Sequence, residues 1–375
     1  MRITIVQGAF LPVPPVMGGA VEKVWFALGK EFARRGHDVV HVSRRCEGMP
    51  LEEIIEGVRH LRVSGFDAPG SLVLLKGLDL IYSLRALRVL PEADILVTNT
   101  FWLPFLVRSK RYGKLYVHAA RYPKGQMRFY AHADRLQTVS HPIKEAIVRD
   151  VPHLAAKVRC IPLPLPGAVP AFTLGGREKQ ILYVGRVHPE KGIALLLDAV
   201  ALIPEEQLAG WKLVVVGPAE SKYGGGGEGY LAELKGRAEK IGTRVVWTGA
   251  VFDEERLNTY YRAASLFVYP SLAEKGETFG LAPLEAMAQG CPALVSNLEC
   301  FRDFIDKDIN GFVFDHRSAE PAQTLAGKLQ ELIGDGKRLA QAAVLAHRKA
   351  GEFSLKRVAA QYLEDFEAIS ITSPR

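Results

Sequence analysis

Two glutamates, Glu277 and Glu285, close off the stretch ETFGLAPLEA, with Gly280 and Pro283 between them. A glycine permits a turn that other residues resist, and a proline fits a helix only in its first turn. Glu277 therefore falls in a loop and Glu285 on the helix that follows. The amides of Phe279, Gly280 and Leu281 would point out of the helix start, where they could hold sugar or phosphate oxygens. Two carboxylates beside such a start suit a polyhydroxylated ligand: Glu277 would accept hydrogen bonds from sugar hydroxyls and Glu285 from ribose hydroxyls. The competing use of an acid pair is glycoside hydrolysis, which needs carboxyl groups ~5–9.5 Å apart. Eight residues of helix rise ~12 Å, which disfavours that pair.

A second chemical stretch is ILYVGRVHPEKG, where a strand ends at Gly185 and Arg186 and Lys191 flank a turn before a helix. Two cations beside a glycine and a helix start suit a diphosphate; the alternative is surface charge at a strand–helix turn. A weaker signal is Gly18-Gly19, after the first strand, where backbone amides could approach an anion. DKDING, from Asp306 to Gly311, imitates a metal motif, but the position where a calcium loop needs glutamate is Arg317. No histidine spacing suggests a metal site, so no metal is expected. Cations and helix dipoles would take its role.

These stretches must be placed by strands and helices. RITIVQ, DVVHVS, DILVTN, KLYVHA and RLQTVS read as strands in the first half, and QILYVG, KLVVVG, RVVWTG, LFVYPS and PALVSN in the second. Helical patterns separate most of them, so the fold class is α/β with parallel sheets covered on both faces. IPLPLPGAVPAFTLGG, residues 161–176, breaks the rhythm with four prolines and reads as the linker between two doubly wound domains facing a cleft. Ligands in such sheets bind beyond the carboxyl ends of the strands. The glycines of GPAESKYGGGGEGY suggest a mobile loop rather than a phosphate cradle.

The 375 residues carry a net charge of +7 and are 48% hydrophobic, the composition of a globular protein with a sizeable core. Residues 1–176 hold 24 Lys and Arg against 14 Asp and Glu, whereas the remainder holds 24 against 27. A basic first half favours an anionic partner: a phosphate-bearing acceptor or a membrane face. Nucleic acid, the third kind of anionic partner, ranks last because no nucleic-acid motif accompanies the charge, and none is expected. Four scattered cysteines suit reduced thiols and a cytoplasmic location. No segment is apolar enough to span a bilayer. The segment Ser71 to Leu90 combines Leu72, Leu75, Leu78 and Leu84 with Lys76, Arg85 and Arg88. It is either the core face of a helix or a stripe that lies in a bilayer interface.

Taken together, Gly18-Gly19, GRVHPEKG, ETFGLAPLEAMAQG, PALVSN and NGFVF resemble, in order and spacing, the retaining glycosyltransferases of family 4. The resemblance implies the GT-B architecture: a Rossmann-like acceptor domain at 1–165, a donor domain at 166–355, and a C-terminal helix at 356–375 crossing back to the first domain. It implies that Arg186 and Lys191 contact the donor diphosphate, Glu277 orients the transferred sugar and Glu285 holds the ribose. Phe279, Gly280 and Leu281 complete the donor site. Gly18 and Gly19 would approach acceptor or diphosphate, and His118 matches a position near the reacting sugar. The co-substrate implied is a nucleoside-diphosphate sugar, UDP-sugar favoured over GDP-sugar, with no cofactor. The acceptor is a sugar or a lipid-linked one. The location expected is cytoplasmic, either free of the membrane or peripheral at the inner face of the plasma membrane. A nucleotide-sugar epimerase or hydrolase of the same architecture, or a non-catalytic sugar-nucleotide-binding protein, is the rival. The commoner FGLPLLEA is here FGLAPLEA, a change inside the first helical turn.

Overall fold

Runs of consecutive apolar residues make the strands, because a strand covered by helices on both faces has no solvent side to alternate toward. The computed structural model describes residues 1–173 and 175–371. It divides into one unit of Met1–Ala168 with the described residues from Phe353 onward, and a second of Val169–Glu352. Leu174, inside the proline-rich segment, and the last four residues of the expected 356–375 helix lie outside the described residues. The divisions fall three residues from the expected 165 and 355, since Leu163 and Leu165 are buried and the Leu165 amide donates to the Phe353 carbonyl at 2.8 Å.

The first unit contains β1 (Arg2–Val6), α1 (Ala20–Arg34), β2 (Asp38–Arg45), β3 (Glu52–Ile55), β4 (Val58–Ser64) and α2 (Leu72–Val89). There follow β5 (Ile95–Thr98), a single helical turn α3 (Leu103–Leu106), β6 (Lys114–Ala119), β7 (Arg135–Thr138), α4 (His141–Asp150) and β8 (Val158–Cys160). The sheet order is β3-β4-β2-β1-β5-β6-β7-β8, parallel except for the β3–β4 hairpin. That hairpin is absent from the reading of the sequence. Its two-residue turn, Glu56-Gly57, has both residues at positive φ, a turn usually marked by Asn-Gly or Asp-Gly.

α1 places Val24, Trp25, Leu28 and Phe32 on one buried face, the spacing of a helix lying on a sheet. The C-terminal helix Leu355–Ile371 packs beside it: Trp25 meets Tyr362 edge-on at 5.1 Å and Phe32 meets Phe366 at 5.9 Å. Asp365, almost fully buried, bonds Arg135 at 2.7 Å and accepts from the Tyr116 hydroxyl at 2.9 Å. A buried carboxylate is tolerated because both partners reach it.

The second unit runs β9 (Glu178–Val184), α5 (Ile193–Ala201), β10 (Lys212–Val216), α6 (Gly227–Ala238), β11 (Val245–Gly249), α7 (Glu254–Ala263) and β12 (Ala264–Tyr269). It continues through α8 (Leu281–Ala288), β13 (Ala293–Ser296), β14 (Phe312–Phe314), α9 (Pro321–Ile333) and α10 (Gly336–Ala350). Its order, β11-β10-β9-β12-β13-β14, is that of a dinucleotide-binding sheet. Arg177 ties the back of the unit together. Its guanidinium donates to the carbonyls of Tyr261 in the last turn of α7, of Ala264 just after it and of Gln289 after α8, where helix dipoles favour a cation.

The first unit also buries a histidine pair. Parallel register sets His41 of β2 against His60 of β4, with rings stacked 5.4 Å apart. Burial first, then the charge of Arg62, lowers His60 to about 4; burial, then His60 and Arg62, holds His41 well below its ordinary value of 6.5. Both are neutral in the fold at pH 7 and protonate more readily once unfolded. Stability from this source is intact above pH ~6.5 and is lost as pH falls toward 4. The unfolding temperature is expected to drop across that window, and less steeply in a His60→Leu variant. A flat profile between these limits would contradict this.

Candidate active site

In the second unit the chain leaves β9 toward β10 on one side and β12 on the other, so a crevice opens outside the carboxyl ends of β9 and β12. The loop after β9, residues 185–192, and the loop after β12, residues 270–280, border it. They are joined directly. The Leu272 amide donates to the Glu190 carbonyl at 2.8 Å. Gly192, at φ 70°, lies so close that an added Cβ would sit 2.0 Å from the Pro270 carbonyl oxygen.

Lys191 and Glu277, 86 residues apart in sequence, meet across this junction with Nζ 2.8 Å from Oε2. Their side chains are 8% and 11% exposed. Removing two charges from water is costly unless they are paired, so the pair is a built feature and not a chance surface contact. Beneath it Tyr183 and Tyr269, from adjacent strands, stack with ring planes 8° apart, and Lys191 Nζ lies 5.5 Å from the Tyr269 ring. Arg186 is more open. It bonds Glu190 at 2.7 Å and the Gly224 carbonyl at 2.6 Å. Glu190, next to Lys191 in sequence, was not among the expected site residues, although it holds Arg186 and lends its carbonyl to the loop junction.

Glu285 stands on α8, half-buried, and accepts from the Tyr261 hydroxyl at 3.2 Å. Gly280 begins α8 at φ 94°; a Cβ there would strike the Phe301 ring at 2.4 Å. The Phe279 ring packs against Phe304, 5.4 Å between centroids, so its side chain has no polar atom to offer a ligand and its role would fall to the backbone. Leu281 is partly exposed at the helix start. The glycine-rich stretch after β10 is bonded to the same loop through Gly226 N to Val187 O, 2.8 Å, and through Gly224.

The remaining expected residues lie in the first unit. Gly18 and Gly19 both have positive φ and lead into α1. Glu22 turns its carboxyl back over Gly19: a Cβ on Gly19 would meet Oε2 at 2.2 Å. Burial raises the Glu22 carboxyl, opposed by its own backbone amide and by Arg121. The Glu22 carboxyl thus lies beside the start of α1, next to the glycine pair expected to approach acceptor or diphosphate. His118, at the carboxyl end of β6, is buried with its ring 5.3 Å from Trp25. Gln137 donates its amide hydrogens to the carbonyls of Thr138 and Ile161, so its oxygen faces His118 Nδ1. That assigns the proton to Nδ1 and leaves Nε2 a lone pair, without a partner among the described residues. Burial lowers His118 to about 4, so the ring is neutral at pH 7.

Residues 170–347 match the family described as "Glycosyl transferases group 1", and residues 17–165 match "Glycosyltransferase Family 4". The chain belongs to the family 4 glycosyltransferases. It is 28% identical over 359 residues to the D-inositol 3-phosphate glycosyltransferase of Thermobispora bispora, covering 90% of this chain and 73% of that one. Among solved structures it is similar to the sucrose-phosphate synthase of Thermosynechococcus elongatus, with a TM-score of 0.79 at 21% identity over all of both chains. It is also similar to Anabaena HepE in complex with UDP-glucose, with a TM-score of 0.71 at 17% identity over 98% of this chain and 100% of that one. The fold class is that of the GT-B glycosyltransferases, two Rossmann-like units.

In this glycosyltransferase the two acids of the metal-like DKDING are engaged by protein groups. Asp308 bonds Lys328 at 3.0 Å and Arg338 at 2.9 Å, and Asp306 accepts from the Asn310 side chain at 3.3 Å. The segment closes a turn before β14.

Proposed function

We propose that the enzyme transfers a hexosyl group from a nucleoside-diphosphate sugar to a hydroxyl of a sugar or lipid-linked acceptor, with retention at the anomeric carbon and without a divalent metal. The observation that carries this reading is the buried Lys191–Glu277 pair, with Arg186 on the same loop, at the switch point of the second sheet. Such a site offers fixed cations to a diphosphate and a carboxylate to sugar hydroxyls. Glu285 would take the ribose hydroxyls. The basic first unit would take the acceptor.

In the reaction the bond from the anomeric carbon to the diphosphate oxygen breaks, and its electron pair leaves with the phosphate. Arg186 and Lys191 stabilise that charge. The acceptor oxygen bonds the same carbon from the face the diphosphate leaves, and its proton passes to the departing phosphate oxygen. With Asp306 and Asp308 engaged in the turn before β14, cations replace a metal at the leaving group. The preference for a UDP-sugar over a GDP-sugar draws on the fold neighbour solved with UDP-glucose.

Incubation with a panel of UDP-, GDP- and ADP-sugars, followed by mass spectrometry with and without acceptor, tests the reading. Acceptor-dependent consumption of a UDP-sugar, unchanged by EDTA, is expected. Consumption without acceptor would instead assign a hydrolase or epimerase, and no consumption of any donor would favour a binding protein. Activity abolished by EDTA and restored by Mn²⁺ or Mg²⁺ would overturn the metal-free step.

A further inference from the structure

We propose that the first unit docks on an anionic lipid bilayer through the outward face of α2 and the aromatic cluster beside it. The inference goes beyond the transfer reaction and stands on the first unit alone.

α2 is turned against the usual rule. A helix covering a sheet buries its apolar stripe, yet the residues that α2 buries are Asp79, Tyr82, Ser83 and Ala86. Its large aliphatic side chains face out: Val73 is 84% exposed, Leu74 52% and Ile81 44%. Leu72 and Leu84 are exposed as well, while Leu75 and Leu78 are half-buried. These leucines are therefore not the core face of the helix. The inward face is polar for a reason visible in the fold: the Asp79 carboxylate accepts from the amides of Phe101 and Trp102, each at 3.1 Å. That pair of bonds fixes the rotation of α2 and leaves its aliphatic side unpartnered among the described residues.

The apolar surface continues past the helix. Trp102 donates its indole N–H to the Lys76 carbonyl at 2.8 Å and its ring meets Phe105 at 5.4 Å. Phe105 meets Phe129 at 5.9 Å, and Phe129 is half exposed. Aromatic rings beside an aliphatic helix face are suited to the level of lipid headgroups.

Charge selects the occupant. Residues 71–135 contain eleven Lys and Arg against four Asp and Glu. Of the four acids, Asp79 is buried, Glu92 and Asp94 pair with Arg2, and Asp134 pairs with Lys114. The cations border the apolar surface. Lys76 lies 3.1 Å from the Phe101 ring centroid and Arg128 4.7 Å from that of Phe129, and Arg88, Arg121 and Lys124 are exposed. An apolar face rimmed by cations complements an anionic interface. A second copy of the chain would set this basic rim against itself, which opposes pairing. Among the described residues no helix is long and apolar enough to cross a membrane, so the contact is one of lying on the surface.

Sedimentation with vesicles tests this. The full chain is expected to pellet at low salt with vesicles of equal parts phosphatidylglycerol and phosphatidylcholine, to stay in solution with phosphatidylcholine alone, and to release as salt passes ~0.2 M. Replacing Val73→Asp and Ile81→Asp together should cut binding roughly tenfold or more, with the unfolding temperature unchanged because both side chains are exposed. Three results would each overturn the proposal: wild type left in the supernatant with the anionic vesicles, equal binding by the variant, or a wild-type dimer in ultracentrifugation that the same variant dissociates. Donor turnover, read on the same preparations in solution, is expected to be unaffected, so failure here is distinguishable from failure of the transfer reading.

Discussion

Lys191→Ala should lower kcat/KM for sugar transfer by roughly 10²–10³-fold, equivalent to ~2.7–4 kcal/mol of transition-state stabilisation lost with one preorganised charge donor. It should also destabilise the second unit. Glu277 is left nearly buried without its cation, a change that costs on the order of 3–5 kcal/mol when a buried pair is broken from one side. Arg186→Ala separates the two effects. Arg186 is held by one half-exposed carboxylate and one carbonyl, so its loss should reduce activity similarly and leave the unfolding temperature almost unchanged. The double variant Lys191→Ala with Glu277→Gln should recover part of the stability and none of the activity, since the isolated charge is gone but so is the clamp. Wild-type kcat/KM in both single variants would remove the diphosphate role from this loop.

A single methyl group at Gly192 is expected to be nearly as damaging, though Gly192 offers a ligand no side chain. Alanine there would bring its Cβ within 2.0 Å of the Pro270 carbonyl oxygen, a backbone atom that cannot rotate away. The loops carrying Lys191 and Glu277 would have to part. Displacement of catalytic groups by about 1 Å can cost ~10²-fold in rate, and overpacking of this kind costs ~1–3 kcal/mol in stability. Gly236→Ala is the control. It lies in α6 with open space around its Cβ position, and alanine in a helix interior is worth about 0.5–1 kcal/mol over glycine. Kinetics of the two variants side by side would show whether the loop junction matters; equal activity in Gly192→Ala would mean the loops tolerate separation.

Much of this was legible in the chain itself. Ten of the fourteen strands among the described residues announce themselves as apolar runs, because a parallel sheet buried on both faces needs apolar residues at successive positions. The positions of Arg186, Lys191 and Glu277 just after strands follow from the same alternation. What the chain could not show was pairing across distance. That Lys191 closes on Glu277, 86 residues later, and that Glu190 holds Arg186 are consequences of β9 and β12 lying side by side, which no local spacing reports. The hairpin β3–β4 was hidden by an unusual turn dipeptide, and β8 and β14 by being three residues long. Helix α2 is the clearest case of tertiary decision. Its sequence permits either face to point inward, and nothing in the order of its leucines chooses. The choice is made by Asp79, whose carboxylate meets two backbone amides of the following loop; burying an acid requires those bonds, and satisfying them turns the aliphatic side outward.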